Sequence, residues 1–169
     1  MFVASCRTSC RWTAASGNGC ACFANIPPTI SALKKSGRFY YASSPEIACG
    51  RIQADLLNEY FVANPKKIKG KNVNMLLLEG KKDHSAQKYR RLGLTDELAE
   101  EGYHVTFVAA QYADWSASLA QPIMDRWLSI YRGAFNAVVA EDDAMALGAI
   151  ASLVDKKYTD TPSGTEDND

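Results

Sequence analysis

The chain has 169 residues, 47% of them apolar, which allows one domain with a core and falls short of two complete ones. Lys plus Arg number 19 and Asp plus Glu also 19, so the formal charge is zero and gives no overall electrostatic basis for binding nucleic acid or an anionic membrane. The longest apolar runs, such as residues 105–110, are far too short to span a membrane.

Residues 1–19 are rich in Ser, Gly, Cys and Thr and show no period, so an irregular start is expected. Cysteines stand at Cys6, Cys10, Cys20, Cys22 and Cys49. Their odd number and crowding do not read as a disulfide framework. With His84 and His104 the only histidines, both far from the cysteine pairs, no zinc site and no other cofactor is expected. No basic segment and apolar stretch of a signal peptide precede Cys6, so export is not legible here.

Residues 20–24 and 39–43 read as short strands, separated by the turn at Pro27-Pro28. From Pro45, apolar Ile47, Ile52, Leu56, Leu57 and Phe61 recur at helical spacing to about Val62. Asn64-Pro65 ends that helix, and a lysine-rich turn follows. The pattern then becomes regular. Strands are expected at 73–78, 104–110 and 135–140, and helices at 85–101, 116–131 and 143–153. Strand-helix repeats with short connections imply a parallel sheet covered on both faces, a three-layer α/β Rossmann-like fold. Residues 159–169 are polar and acidic and read as a disordered tail.

In open α/β sheets, ligands bind beyond the carboxyl ends of the strands. Past the first strand come Glu79, Asp83, His84 and, one turn into the helix, Arg90. Past the second come Gln111, Asp114 and Trp115, and past the third Glu141, Asp142 and Asp143. This composition suits a neutral polyol. Asp accepts from hydroxyls, Arg donates in a planar fork, and a Trp face offers an apolar platform to the C–H side of a pyranose. Each residue also has an ordinary structural role: Trp115 in a core, Arg90 as a solvated helix residue beside Arg91, Asp142 as a helix cap. Their grouping on one edge of one sheet favours a site.

Residues 142–149, Asp-Asp-Ala-Met-Ala-Leu-Gly-Ala, resemble the Asn-Asp-Ala/Glu-Met-Ala-Leu/Met-Gly-Ala signature of type 1 periplasmic sugar-binding proteins, most nearly the galactose/glucose branch. Further likeness lies in residues 23–28, 40–64, 77–80, 84–90, 114–115 and 124–128, so the resemblance covers roughly 20–156. It implies a periplasmic-binding-protein type 1 fold, present here incompletely, with a first-lobe remnant at 20–64 and an incomplete second lobe at 65–158. It also implies sugar contacts at Asn25, His84, Arg90, Trp115 and Asp142. The sequence departs from the pattern at Asp142, where the family has Asn; at Ile26, where it has Lys or Arg; and at Ala86, where the galactose branch has Asp. The galactose binders' calcium loop is not matched, because residues 65–69 offer no run of oxygen ligands.

The resemblance therefore implies a monosaccharide-binding component of an ABC transporter, periplasmic, delivering ligand to a membrane permease. Three alternatives stand beside it. The effector domain of a LacI-type regulator needs a helix-turn-helix that residues 1–25 do not show. An enzyme using Cys49 and His84 is opposed by Cys49 standing at a core position of a helix, so no catalytic residue is expected. The third is a fragment without function, exposing open sheet edges.

Overall fold

The computed structural model describes residues 45–158 in full and, by backbone alone, residues 3–4, 21–24 and 39–42. The elements are β1 (Val3–Ala4), β2 (Ala21–Ala24), β3 (Phe39–Ala42), α1 (Glu46–Ala63), a 3₁₀ turn (Pro65–Lys67), β4 (Asn72–Glu79), α2 (Ser85–Glu100), β5 (His104–Tyr112), α3 (Ala117–Ile130), β6 (Ala137–Ala140) and α4 (Asp143–Asp155). Asn25 and the acidic tail lie outside the described residues.

Residues 7–45 form one compact unit, whose described part is the parallel pair β2–β3. The other unit holds residues 1–6 and everything from Glu46 onward. Its sheet has the order β1-β6-β4-β5, with all neighbours parallel. The strand β1 corrects the expectation of a wholly irregular start at residues 1–19: Val3 and Ala4 pair with Val138 and Val139. Two residues carry too little alternation to show as a period in sequence. The helix α1, grouped by sequence with residues 20–64, packs within this unit against α2.

The two faces of the sheet are readable residue by residue. Val73, Met75 and Leu77 of β4, with Ala137 and Val139 of β6, point to Ala54, Leu57 and Phe61 of α1 and Leu94 and Leu98 of α2. Leu76 and Leu78, with Val138 and Ala140, meet Ile123, Met124, Trp127 and Leu128 of α3 and Met145, Ala149 and Leu153 of α4. Successive side chains of a strand point to opposite faces, so residues 75–78 of β4 and the whole of β6, buried between two helical layers, are apolar on both sides. The strand β5 is the edge of the described sheet, and its residues alternate between exposed and half-buried. Val108 is passed over in its pairing: Met75 faces Phe107 and Leu76 faces Ala109, the signature of a bulge.

Glycines set the helix contacts. A Cβ on Gly50 would stand 2.0 Å from the Arg90 carbonyl oxygen, and one on Gly93 2.1 Å from that of Ile47, so α1 and α2 cross backbone to backbone. Gly148 does the same for α4, where a Cβ would lie 2.5 Å from the Ala117 carbonyl oxygen of α3.

The chain passes from β4 by α2 to β5, then by α3 back across β4 to β6. Connections from β4 and β6 therefore leave toward opposite faces, and a topological switch lies between their carboxyl ends.

Candidate functional site

At the switch point, β4 ends in Glu79-Gly80 and β6 in Ala140-Glu141. The backbone ladder continues one step beyond the strands: Glu141 N–H donates to the Leu78 carbonyl at 3.1 Å and Ala113 N–H to the Glu79 carbonyl at 2.8 Å. All three loops are thus anchored to β4 before their side chains diverge.

The loops after β4 and β5 turn through left-handed backbone, whereas Asp142 in the loop after β6 is extended. Ser116 N–H donates to the Ala113 carbonyl at 2.9 Å, closing a turn whose central residues, Asp114 and Trp115, have φ of 48° and 62°. Consecutive positive φ is the type I′ pattern, which Trp adopts at a cost of roughly 1–2 kcal/mol. His84 N–H donates to the Lys81 carbonyl at 3.1 Å, with Asp83 at φ 63°. The strain at Trp115 fixes its indole over the switch point.

There the half-buried indole lies against Gly80. A Cβ on that glycine would fall 2.0 Å from the six-membered ring of Trp115, so only glycine leaves room for it. The Arg90 guanidinium sits 5.3 Å from the indole centroid, and the His84 ring meets it edge-on at 5.7 Å. The structure therefore brings His84, Arg90 and Trp115 into one cluster.

Arg90 is 2% exposed, and its guanidinium is built into the fold. Its Nε donates to the Glu46 carboxylate at 2.6 Å and one terminal nitrogen to the Glu141 carbonyl at 2.6 Å. It ties α1, α2 and the loop after β6 together. Asp142 caps α4, its Oδ1 accepting from Met145 N–H at 2.8 Å. Burial holds the Asp142 carboxyl above the usual range, opposed by that hydrogen bond and by the Arg90 charge. His84 caps α2: its Nδ1 accepts from Ala86 N–H at 3.2 Å, which leaves Nε2 as the donor of the neutral ring. Asn25 lies outside the described residues.

Behind this cluster stands a buried acid pair. Glu141 is fully buried, and its Oε2 accepts from Gly80 N–H at 2.7 Å, stitching the ends of β4 and β6 together. Burial pushes its carboxyl up to about 8; the neighbouring Glu79 charge adds to this, while the Gly80 hydrogen bond, Arg90 and Arg91 oppose it. Glu79 is paired instead: Arg91 donates to it at 2.7 Å and Gln87 at 2.9 Å. Arg91 also lies 4.5 Å over the Phe107 ring, so it is no solvated bystander. The sequence placed Glu79 and Glu141 on the right edge but gave no sign that Glu46, Arg91 and Gly80 complete the arrangement. The signal available was Gly80 itself, a glycine at a strand end facing the loop that carries Trp115.

Among the described residues, no group of three or more His, Cys, Asp or Glu is placed to hold a metal ion, and no helix is long and apolar enough to cross a membrane. Cys49 is buried in α1.

Comparison with known proteins agrees with this architecture. The family model described as periplasmic binding protein domain matches residues 21–168. A D-galactose/methyl-galactoside binding periplasmic protein of Haemophilus influenzae is 28% identical over 131 residues, which are 76% of this chain and 40% of the relative. A periplasmic solute binding protein of an ABC transporter from Actinobacillus succinogenes 130z, solved with D-allose, superposes with TM-score 0.65 at 23% identity, over 80% of this chain and 45% of that one. The binding protein of the arabinose ABC transporter from Shewanella sp. ANA-3, bound to L-arabinofuranose, gives TM-score 0.65 at 18% identity, over 82% of this chain and 42% of that one. The chain thus spans under half the length of these relatives, and it belongs to the periplasmic binding protein domain family, with part of the type 1 fold.

Proposed function

We propose that this chain carries part of the monosaccharide site of a periplasmic solute-binding protein serving an ABC transporter. The observation that carries the reading is the Trp115 indole, fixed by a strained turn and wedged over Gly80 at the topological switch of the sheet. A half-buried ring held this rigidly gives a pyranose an apolar platform at little entropic cost. His84, against the indole, offers an Nε2 donor for hydroxyls, and Asp142, in the loop after β6 on the same sheet end, offers a carboxylate oxygen. Direct donation from Arg90 would require a sugar to reach a guanidinium that is 2% exposed, so we assign Arg90 the holding of Trp115 and of the Glu141-Asp142 loop. Asn25 is proposed as a contact from outside this cluster, on the resemblance alone. The relatives' names favour an aldose: one binds D-galactose or methyl-galactoside and another was solved with D-allose. The domain reading, a first-lobe remnant and an incomplete second lobe, stands as part of this proposal, as do a membrane permease as partner and a periplasmic location.

The test is a titration of the chain with D-galactose, D-glucose, D-allose and L-arabinose, followed by tryptophan fluorescence and calorimetry. At least one sugar is expected to bind, and Trp115→Ala to weaken it more than tenfold with an unchanged far-ultraviolet spectrum. A parent chain that folds and binds no sugar, or a Trp115→Ala variant that binds as tightly, overturns the proposal.

A further inference from the structure

We infer that the opposite edge of the sheet carries a second site, which takes a small phosphate-bearing anion. A cavity of about 560 Å³ opens at the amino ends of β4 and β6, lined by Lys66, Lys67, Lys69, Asn72, Phe135 and Asn136 among others. That volume lies in the range of small-molecule sites. Its lining contains three lysines and no carboxylate, although the chain as a whole is neutral. The positive charge is therefore local, concentrated by a tract with four lysines in the six residues 66–71.

The fourth lysine shows that the other three are not there by default. Lys71 turns away: its Nζ donates to the Glu101 carbonyl at 2.6 Å and lies 5.0 Å over the Tyr103 ring. Lys66, Lys67 and Lys69 line the cavity, and no ion pair joins them to a carboxylate among the described residues. Like charges gathered in a concavity repel one another, and an anion relieves that repulsion.

The loop holding them is shaped in advance. Gly70 and Lys71 have consecutive positive φ of 57° and 58°, and Asn72 N–H donates to the Lys69 carbonyl at 3.1 Å, closing a tight turn. The Asn72 amide donates to the Lys69 and Gly70 carbonyls at 2.9 and 3.3 Å. Asn136 locks the other rim, its amide donating to the Asn72 carbonyl and accepting from Asn74 N–H, both at 2.9 Å. Phe135, stacked on Tyr158 with centroids 6.0 Å apart, makes one wall apolar. Ammonium groups over an apolar wall fit a phosphate attached to an organic body, such as a sugar phosphate or nucleotide, better than a bare halide. The site is a half-open concavity, which a soluble ligand can enter and a flat lipid surface fits less well.

The experiment titrates the full chain with inorganic pyrophosphate and, separately, with glucose 6-phosphate, by calorimetry at low and moderate salt. Binding of either is expected, weakening as salt rises. The triple variant Lys66→Ala, Lys67→Ala, Lys69→Ala is expected to lose at least tenfold in affinity while melting like the parent. Lys71→Ala, outside the cavity, is expected to bind as the parent does. Trp115→Ala is expected to leave anion binding intact, which keeps this result separate from the sugar site. The inference is overturned if the parent binds neither anion or if the triple variant binds equally well. It is equally overturned if the protein binds only phosphatidylglycerol-containing vesicles and neither soluble anion.

Discussion

Gly80 and Glu141 meet through a single hydrogen bond, yet each predicts a separate experiment. In a Gly80→Ala variant the added methyl falls into the Trp115 ring, which cannot shift without leaving its turn or its place beside Arg90. Overpacking of this kind costs about 1–3 kcal/mol. The expected outcome is a lower denaturant midpoint, a red-shifted tryptophan emission as the indole moves into water, and loss of any sugar response. Glu141 predicts the pH dependence. Its folded carboxyl titrates near 8, above the unfolded value near 4.5, so between these values the native state holds the extra proton. The stability tied to that proton is full below about 4.5 and is lost as pH rises past about 8. Glu141→Gln keeps the acceptor for Gly80 N–H and removes the titration. Chemical unfolding at pH 5 and pH 9 should show the parent losing stability on the order of a few kcal/mol and the variant losing much less. Parallel curves for the two proteins would refute the assignment.

At the scale of elements, the helix pairs depend on glycines that a period of 3.6 does not distinguish. Gly50→Ala and Gly93→Ala each push a methyl to within about 2 Å of a carbonyl oxygen on the partner helix, so α1 and α2 must separate. Each is expected to cost more than about 3 kcal/mol, outweighing the fraction of a kilocalorie by which Ala favours an isolated helix. Ile52→Ala on the same helix, where the side chain is 54% exposed, should be close to neutral, and thermal melts of the three variants check the contrast. The elements from α1 to α4 were legible because apolar residues repeat and caps punctuate them; β4, for example, extends one residue beyond the expected 73–78 at each end. Two kinds of feature were not legible. The strand β1 has two residues, too few for a pattern. The partners of Arg90, namely Glu46 and the Glu141 carbonyl, stand 44 and 51 residues away, and only the fold brings them together. Of the expected site, the edge of the sheet and the grouping of His84, Arg90 and Trp115 were readable, since strand ends dictate them. The burial of Arg90 was not, because it depends on α1 closing over α2.

For the unit as a whole, the governing fact is that β4 serves both cores. Leu76 belongs to the core under α3 and α4, and Leu77 to the core under α1 and α2, and both are fully buried. Neighbouring residues of one strand cannot lose order separately, because the parallel pairing with β5 and β6 fixes both faces together. The two helical layers are therefore expected to unfold as one. Leu76→Ala and Leu77→Ala should each cost about 2–5 kcal/mol, the usual range for removing a buried leucine side chain. The sharper test lies in the probes. In a Trp12→Phe, Trp115→Phe background Trp127 alone reports, from the α3 and α4 layer, whereas far-ultraviolet circular dichroism reads the helices of both layers. If β4 couples the layers, both probes give the same denaturant midpoint in that parent background, and Leu77→Ala, which touches only the α1 and α2 core, shifts the Trp127 signal as far as it shifts the helical one. A Leu77→Ala variant whose tryptophan transition stays at the parental midpoint while helical signal is lost earlier would show two independent layers. It would also place the proposed sugar cluster, which draws Arg90 from α2 and Asp142 from the cap of α4, across a boundary that opens before the protein unfolds.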